Sequence, residues 1–288
     1  MNNSNPLYNI PKLFIKTKKI VEGYLLGIHK SPYHGFSQEF SEYKLYTPED
    51  NPKWIDWKIY ARTEKLFVKK FEHETNLYAY LILDISNSMN YGDKITKFEF
   101  AKNLAASIAY ILYKQKDAVG LVTFSEKINN LLRPQNSYLH IIRMFKILED
   151  LKTQGKTKIF KSLKNFVPSL NKKGLIFVIS DFYTNLDDVF KFIKSLKSKG
   201  QDVKILQVVS QKEKNVDFSK PAKFVDSETG EYLETFGDFS KDYTKFYEKF
   251  INAFRKNVIS LNVDYHIFKS EDNFLKSFLK FLYKLSKV

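Results

Sequence analysis

Seven apolar or aromatic residues, Leu77-Tyr78-Ala79-Tyr80-Leu81-Ile82-Leu83, run without a break into Asp84-Ile85-Ser86-Asn87-Ser88. A run of that length and apolarity suits a strand buried on both faces, as in a parallel sheet covered by helices. Its C-terminal end then delivers one carboxylate and two hydroxyls. Ligands of open α/β sheets bind at that end of the strands. Three hard oxygen groups on one tight loop suit a small divalent cation such as Mg2+.

Strand-like and helix-like segments alternate from about 74 to 210, the pattern of a doubly wound sheet. Thr96 with Glu99 forms a capping-box pattern before a helix whose apolar face is Phe98, Ala101, Leu104, Ala105, Ile108 and Leu112. Strands are expected at 118–124, 128–132, 175–179, 203–209 and 263–268. Helices are expected at about 138–151, 158–170, 186–199, 240–257 and 273–285. The apolar stripe of the last helix, with Phe274, Phe278, Leu279 and Leu282, reads as core rather than membrane anchor. A polar stretch at 211–237 resembles a hairpin with Gly230 in its turn. The expected organisation is an N-terminal extension over 1–73, strand-rich and lid-like, followed by one α/β domain over 74–288. That domain is a mostly parallel sheet with helices on both faces.

Composition closes several routes. No cysteine is present, so disulfides and thiolate metal sites are excluded. No apolar run is long enough to span a membrane, and residues 1–6 lack the pattern of a signal peptide, so the chain reads as cytoplasmic. The net charge of +15 raises the question of nucleic acid. However, of 47 basic residues only Arg62, Arg133, Arg143 and Arg255 are arginines, and the lysines scatter over many helix faces. Phosphate and base recognition favour the arginine fork, so a solvated surface is the better reading and nucleic acid is disfavoured as a partner.

Two later features reinforce the strand-end motif. Gly155-Lys156-Thr157 puts a hydroxyl in a loop between two helices, and Asp181 ends the buried run Leu175–Ile179. If the two aspartate-bearing strands are neighbours, Asp84 and Asp181 meet where the strand order reverses, within reach of Thr157. Taken alone, Ser86 and Ser88 would equally serve as caps of the following turn. A Walker A loop is excluded because Asp150 stands where its first glycine belongs. A nucleophile elbow is absent, and His29, His34, His73, His140 and His266 form no zinc-protease motif.

Asp84, Ser86, Ser88, Thr157 and Asp181 together resemble the metal-ion-dependent adhesion site of von Willebrand factor A domains. That resemblance implies Mg2+ or Mn2+ held by the three hydroxyls, with the carboxylates binding directly or through water. It also implies a position that accepts a carboxylate from a partner protein. Upstream, Glu39-Phe40, Tyr43 to Asp50, Trp54-Ile55-Asp56-Trp57, Tyr60 to Thr63 and Leu66 to Lys69 resemble, in order, the family called domain of unknown function 58. Its members carry a von Willebrand A-like domain after this segment. The implied role is a non-enzymatic adaptor or partner of a MoxR-type AAA+ ATPase, or of its client, in protein maturation or assembly. No small-molecule substrate is evident. Asn87 departs from the usual glycine, and asparagine tolerates left-handed backbone. Lys158 departs from a common aspartate, and with Lys156 it flanks the ion, which weakens binding by repulsion. Trp54, Asp56, Trp57 and Arg62 read as a packed segment, with Asp56 and Arg62 as a candidate pair. The alternative function is a Mg2+-dependent hydrolase of phosphoesters or nucleic acid.

Overall fold

The computed structural model describes residues 10–28, 42–47, 55–70, 77–214, 222–225, 232–235 and 240–285. The chain divides into two compact units, Met1–Gly27 with Leu77–Val288, and Ile28–Asn76.

The larger unit is built on a six-stranded sheet whose strands begin, in spatial order, at Asp264, Asp202, Leu175, Tyr78, Ala118 and Ile128. Its strands are β3 (Tyr78–Asp84), β4 (Ala118–Phe124), β5 (Ile128–Gln135), β6 (Leu175–Ser180), β7 (Asp202–Val209) and β10 (Asp264–Lys269). All neighbours are parallel except β5, which returns antiparallel to β4 at one edge. Pro134 lies in β5, where an edge strand tolerates the missing amide hydrogen. The central strands read as unbroken apolar runs because both sheet faces are covered. One core joins Leu81 and Leu83 to helices α1 (Lys12–Ile28), α3 (Lys97–Lys114), α4 (Tyr138–Asp150) and α9 (Phe274–Leu285). The other joins Ile82, Val122 and Val178 to α5 (Ile159–Leu163), α6 (Leu186–Ser198) and α8 (Ser240–Ser260). Each fully buried large apolar side chain contributes about 1.5–3 kcal/mol.

The chain leaves β3 towards β4 on one side and, after the β5 edge, crosses back to place β6 on the other side. The strand order therefore reverses at β3, as expected for a doubly wound sheet. Strand spacing is tight there. A Cβ at Gly174, just before β6, would collide with the Tyr78 carbonyl oxygen.

Several expected elements differ in extent. The helix expected over 158–170 is only α5, followed by a 3-10 turn at Val167–Ser169. Hydrogen bonds already tighten to i→i+3 at Phe166, and Pro168 supplies no amide hydrogen to resume the helix. In place of a uniform extension over 1–73, α1 joins the larger unit, with Phe14 edge-on to Tyr110 and Phe145 and with Val21 buried. Its apolar positions complete the core over α3 and α4. Within the smaller unit, β1 (Glu42–Leu45) and β2 (Phe67–Lys70) pair antiparallel, and Ile55 bridges Val68. Asp56 caps α2 (Trp57–Thr63), accepting from the amides of Lys58 and Ile59, so its carboxylate serves the helix start. Glu39, Phe40, Trp54, His29, His34 and His73 lie outside the described residues.

The polar stretch does contain an antiparallel pair, β8 (Ala222–Val225) and β9 (Tyr232–Thr235), preceded by the short helix α7 (Gln211–Lys214). The turn with Gly230 lies outside the described residues. Among the described residues, no helix is long and apolar enough to cross a membrane.

Candidate metal centre

β3 and β6 run parallel with Leu83 opposite Ile179. The next residues on each strand, Asp84 and Ser180, therefore stand side by side at the C-terminal edge, and Asp181 follows by one. Both aspartates are fully buried. Asp84 Oδ1 accepts from the Ser86 amide at 2.9 Å, which curls the chain into a 3-10 turn over Asn87–Asn90. That turn sets the Ser86 and Ser88 hydroxyls 3.0 Å apart.

Thr157 reaches the same point from the α4–α5 loop. Its hydroxyl lies 3.5 Å from Asp84 Oδ2, and its side chain is buried. The loop is sewn to the β3 end by backbone bonds from Asn87 N to Gly155 O (3.0 Å) and from Gln154 N to Ile85 O (2.7 Å). Gly155 takes φ +70°, a conformation that favours glycine. Thr157 O in turn accepts from Thr184 Oγ1 at 3.1 Å, which fastens the loop to the segment after β6. Asp84, Ser86, Ser88 and Thr157 thus meet at one end of the sheet, and Asp181 follows Ser180 on the strand that neighbours β3. Asn87 has no positive φ, so the left-handed backbone invoked for it is not used.

The two carboxylates differ in their surroundings. Asp84 is hydrogen-bonded by Ser180 Oγ at 2.6 Å and by the Ser86 amide, and among the described residues it has no ion pair. Burial, and then the Asp181 charge, push its carboxyl up to about 7. Asp181 Oδ1 accepts from the Tyr183 amide at 3.0 Å, while Oδ2 meets the Lys97 ammonium at 2.7 Å. Lys97 also pairs with Glu213 of α7. Burial lowers the lysine's pKa, but Asp181 and Glu213 outweigh it and hold Lys97 above its ordinary value.

Ser180, Lys97 and Glu213 were not singled out by sequence reasoning. For Lys97 a signal existed: a lysine in the first helical turn opposes the helix dipole. Ser180 directly precedes a chosen aspartate but belongs to no spacing motif. Glu213 sits in a polar stretch with nothing to set it apart.

The donor set fits a hard divalent ion. The Ser86, Ser88 and Thr157 hydroxyls gather at the Asp84 end of β3, Asp181 follows on the neighbouring strand, and among the described residues Asp84 has no cationic side chain to neutralise it. His140 is engaged elsewhere, its Nε2 2.8 Å from Val119 O.

A protein-family model described as "Protein of unknown function DUF58" matches residues 42–255. The chain is 30% identical over 100 residues to Uncharacterized protein Rv1480 of Mycobacterium tuberculosis and to Uncharacterized protein Mb1516 of Mycobacterium bovis. The match covers 34% of this chain and 32% of each relative, so it spans about a third of the curated relatives' length. Among solved structures, BatB from Bacteroides thetaiotaomicron is similar over 74% of this chain and 100% of that chain, at 18% identity and TM-score 0.47. The SpRpn10 VWA domain is similar over 70% and 94%, at 16% identity and TM-score 0.44.

Proposed function

We propose that this chain, which belongs to the family Protein of unknown function DUF58, is a non-enzymatic protein-binding module. In this reading its grip on a partner runs through one Mg2+ or Mn2+ ion held by Asp84, Ser86, Ser88, Thr157 and Asp181. The observation that carries the reading is Asp84, a fully buried carboxylate. It lies beside a second buried carboxylate, has the Ser180 and Thr157 hydroxyls at its Oδ2, and is raised to about 7 by burial and by the Asp181 charge. Lys97 offsets the charge of Asp181, whereas among the described residues Asp84 has no ion pair, so a bound cation would relieve its burial beside a second acid.

When bound, a divalent ion supplies a compact positive charge at the sheet edge. The chain's own residues supply the rest. Ser86, Ser88 and Thr157 offer neutral oxygens, which leave the ion electrophilic towards a carboxylate from a partner. The backbone bonds between the β3 end and the Gln154–Gly155 loop keep those oxygens in place. The partner is a protein with an exposed acidic side chain, and the favoured class is a MoxR-type AAA+ ATPase or its client. The test is retention of a purified MoxR-type AAA+ ATPase on the immobilised protein. Retention that needs Mn2+ or Mg2+, and that chelator or Asp84→Ala removes, supports the reading. Retention indifferent to both overturns it.

A further inference from the structure

The start of α3 is a poor place for a lysine. The first turn of a helix carries the positive end of its dipole, where carboxylates are favoured. Yet Lys97 is the first helical residue, and its side chain is fully buried. The ammonium contacts Asp181 Oδ2 at 2.7 Å and pairs with Glu213. It also lies 4.6 Å from the centre of the Tyr183 ring. Buried ion pairs add little stability over apolar groups of the same volume, so a purely structural role leaves the choice of lysine unexplained.

The local charge count points elsewhere. Asp84, Asp181 and Glu213 bring three carboxylates to the C-terminal edge of the sheet, and Lys97 brings one ammonium. With all four ionised, two negative charges remain, which is the charge one divalent ion neutralises. Glu213 is fixed in place for its part. Its Oε2 accepts from the Ser210 amide at 3.1 Å and from the Tyr183 hydroxyl at 3.3 Å, and Tyr183 is further bonded to Tyr247 OH at 3.0 Å.

We propose that Lys97 is a resident counter-ion that shares Asp181 with the divalent ion and thereby holds the ion's affinity down. Glu213 is the carboxylate that draws the ammonium partly away. The inference rests on the ion-binding reading above. Lys97 acts through Asp181, so it is a positioning residue, and its proposed role gives two neighbouring substitutions opposite signs. Removing the ammonium frees Asp181 for the ion. Removing the Glu213 charge leaves the ammonium wholly on Asp181.

The experiment is calorimetric titration of MnCl2 into the full chain as wild type, Lys97→Gln and Glu213→Gln, with thermal unfolding of each with and without Mn2+. Lys97→Gln is expected to bind Mn2+ at least about tenfold more tightly, because a unit charge is removed from contact with a ligand. It is also expected to melt lower than wild type without Mn2+ and to show the larger Mn2+-induced rise. Glu213→Gln is expected to bind more weakly. A merely structural role would weaken both variants and so overturn the proposal. If wild type binds and Lys97→Gln binds no tighter, the proposal falls while the ion-binding reading stands. If only Lys97→Gln binds, the proposal stands and ion dependence of the native chain falls. Failure of both to bind overturns both. Should Lys97→Gln not fold, Lys97→Met takes its place under the same criteria, and unchanged or tighter binding by Glu213→Gln also overturns the proposal.

Discussion

The Ser180 hydroxyl donates to Asp84 Oδ2 at 2.6 Å across the boundary between two parallel strands. Ser180 Oγ in turn accepts from the Phe182 amide at 2.9 Å. One small side chain therefore anchors the buried acid of β3 and shapes the exit of β6, where Phe182 is held at φ +59°. A bulky residue in that conformation is strained, and such strain collects at sites that need a fixed geometry.

Replacing Ser180 by Ala removes both bonds and leaves a buried carboxylate oxygen short of a donor. The expected cost is about 1–3 kcal/mol of stability, read from the urea midpoint at unchanged slope. A change within the error of the wild-type midpoint would show that the bridge is dispensable.

Asp84 sets a pH dependence of defined sign. Its carboxyl is raised from 3.8 to about 7 by burial and by Asp181, so the folded chain binds a proton that the unfolded chain releases. This contribution to stability is complete below about pH 4 and is lost as pH rises to about 7. Without divalent ions, wild type should lose stability over that interval relative to Asp84→Asn. Ion affinity should move the opposite way, since in the proposed site the proton and the ion would compete for one carboxylate. Parallel pH profiles for wild type and Asp84→Asn would refute the assignment.

His266 works in the other direction. Burial, with Lys284 and Lys280 nearby, lowers its imidazole from 6.5 to about 4, and its ring lies 4.5 Å from that of Phe268 and 5.2 Å from that of Phe281. The fold therefore favours the neutral ring. Stability from this group is present above about pH 6.5 and falls as pH drops towards 4. His266→Phe keeps an aromatic ring and should remove that acid-side loss, as measured by thermal melts from pH 7 to pH 4. A melt profile identical to wild type would contradict this.

Gly155 offers a test of the loop that carries Thr157. A Cβ there would have room, with its nearest neighbour Ser125 Oγ at 3.4 Å, but the residue sits at φ +70°. Gly155→Ala should therefore cost about 1–2 kcal/mol through backbone strain rather than clash. Because the Gly155 carbonyl holds the Asn87 amide, the substitution should also weaken Mn2+ binding. Asn at this position, which enters the left-handed region more readily, should do less harm on both measures.

Much of the frame was legible in the chain because β3, β4, β6 and β7 are buried on both faces and so read as apolar runs. The convergence of Asp84 with Asp181 followed from placing both at strand ends and requiring those strands to be neighbours. The partners of these residues were harder to see. Ser180, Lys97 and Glu213 meet the aspartates only because β6 pairs with β3 and because α3 and α7 both start at the same sheet edge. Sequence separations of 84 and 116 residues between Lys97 and its two acids carry no periodic signal. The truncation of α5 was hidden for a local reason, since its apolar spacing continues past the point where Pro168 removes a donor. The membership of α1 in the larger core was hidden because an amphipathic helix does not announce which surface it covers.

The central claim is that Asp84 is the acid on which an ion is held. Titration of Mn2+ into wild type and Asp84→Ala tests it most directly. Wild type should show saturable one-site binding, and a variant that is folded by circular dichroism should show none. Equal heats from the two proteins would contradict it.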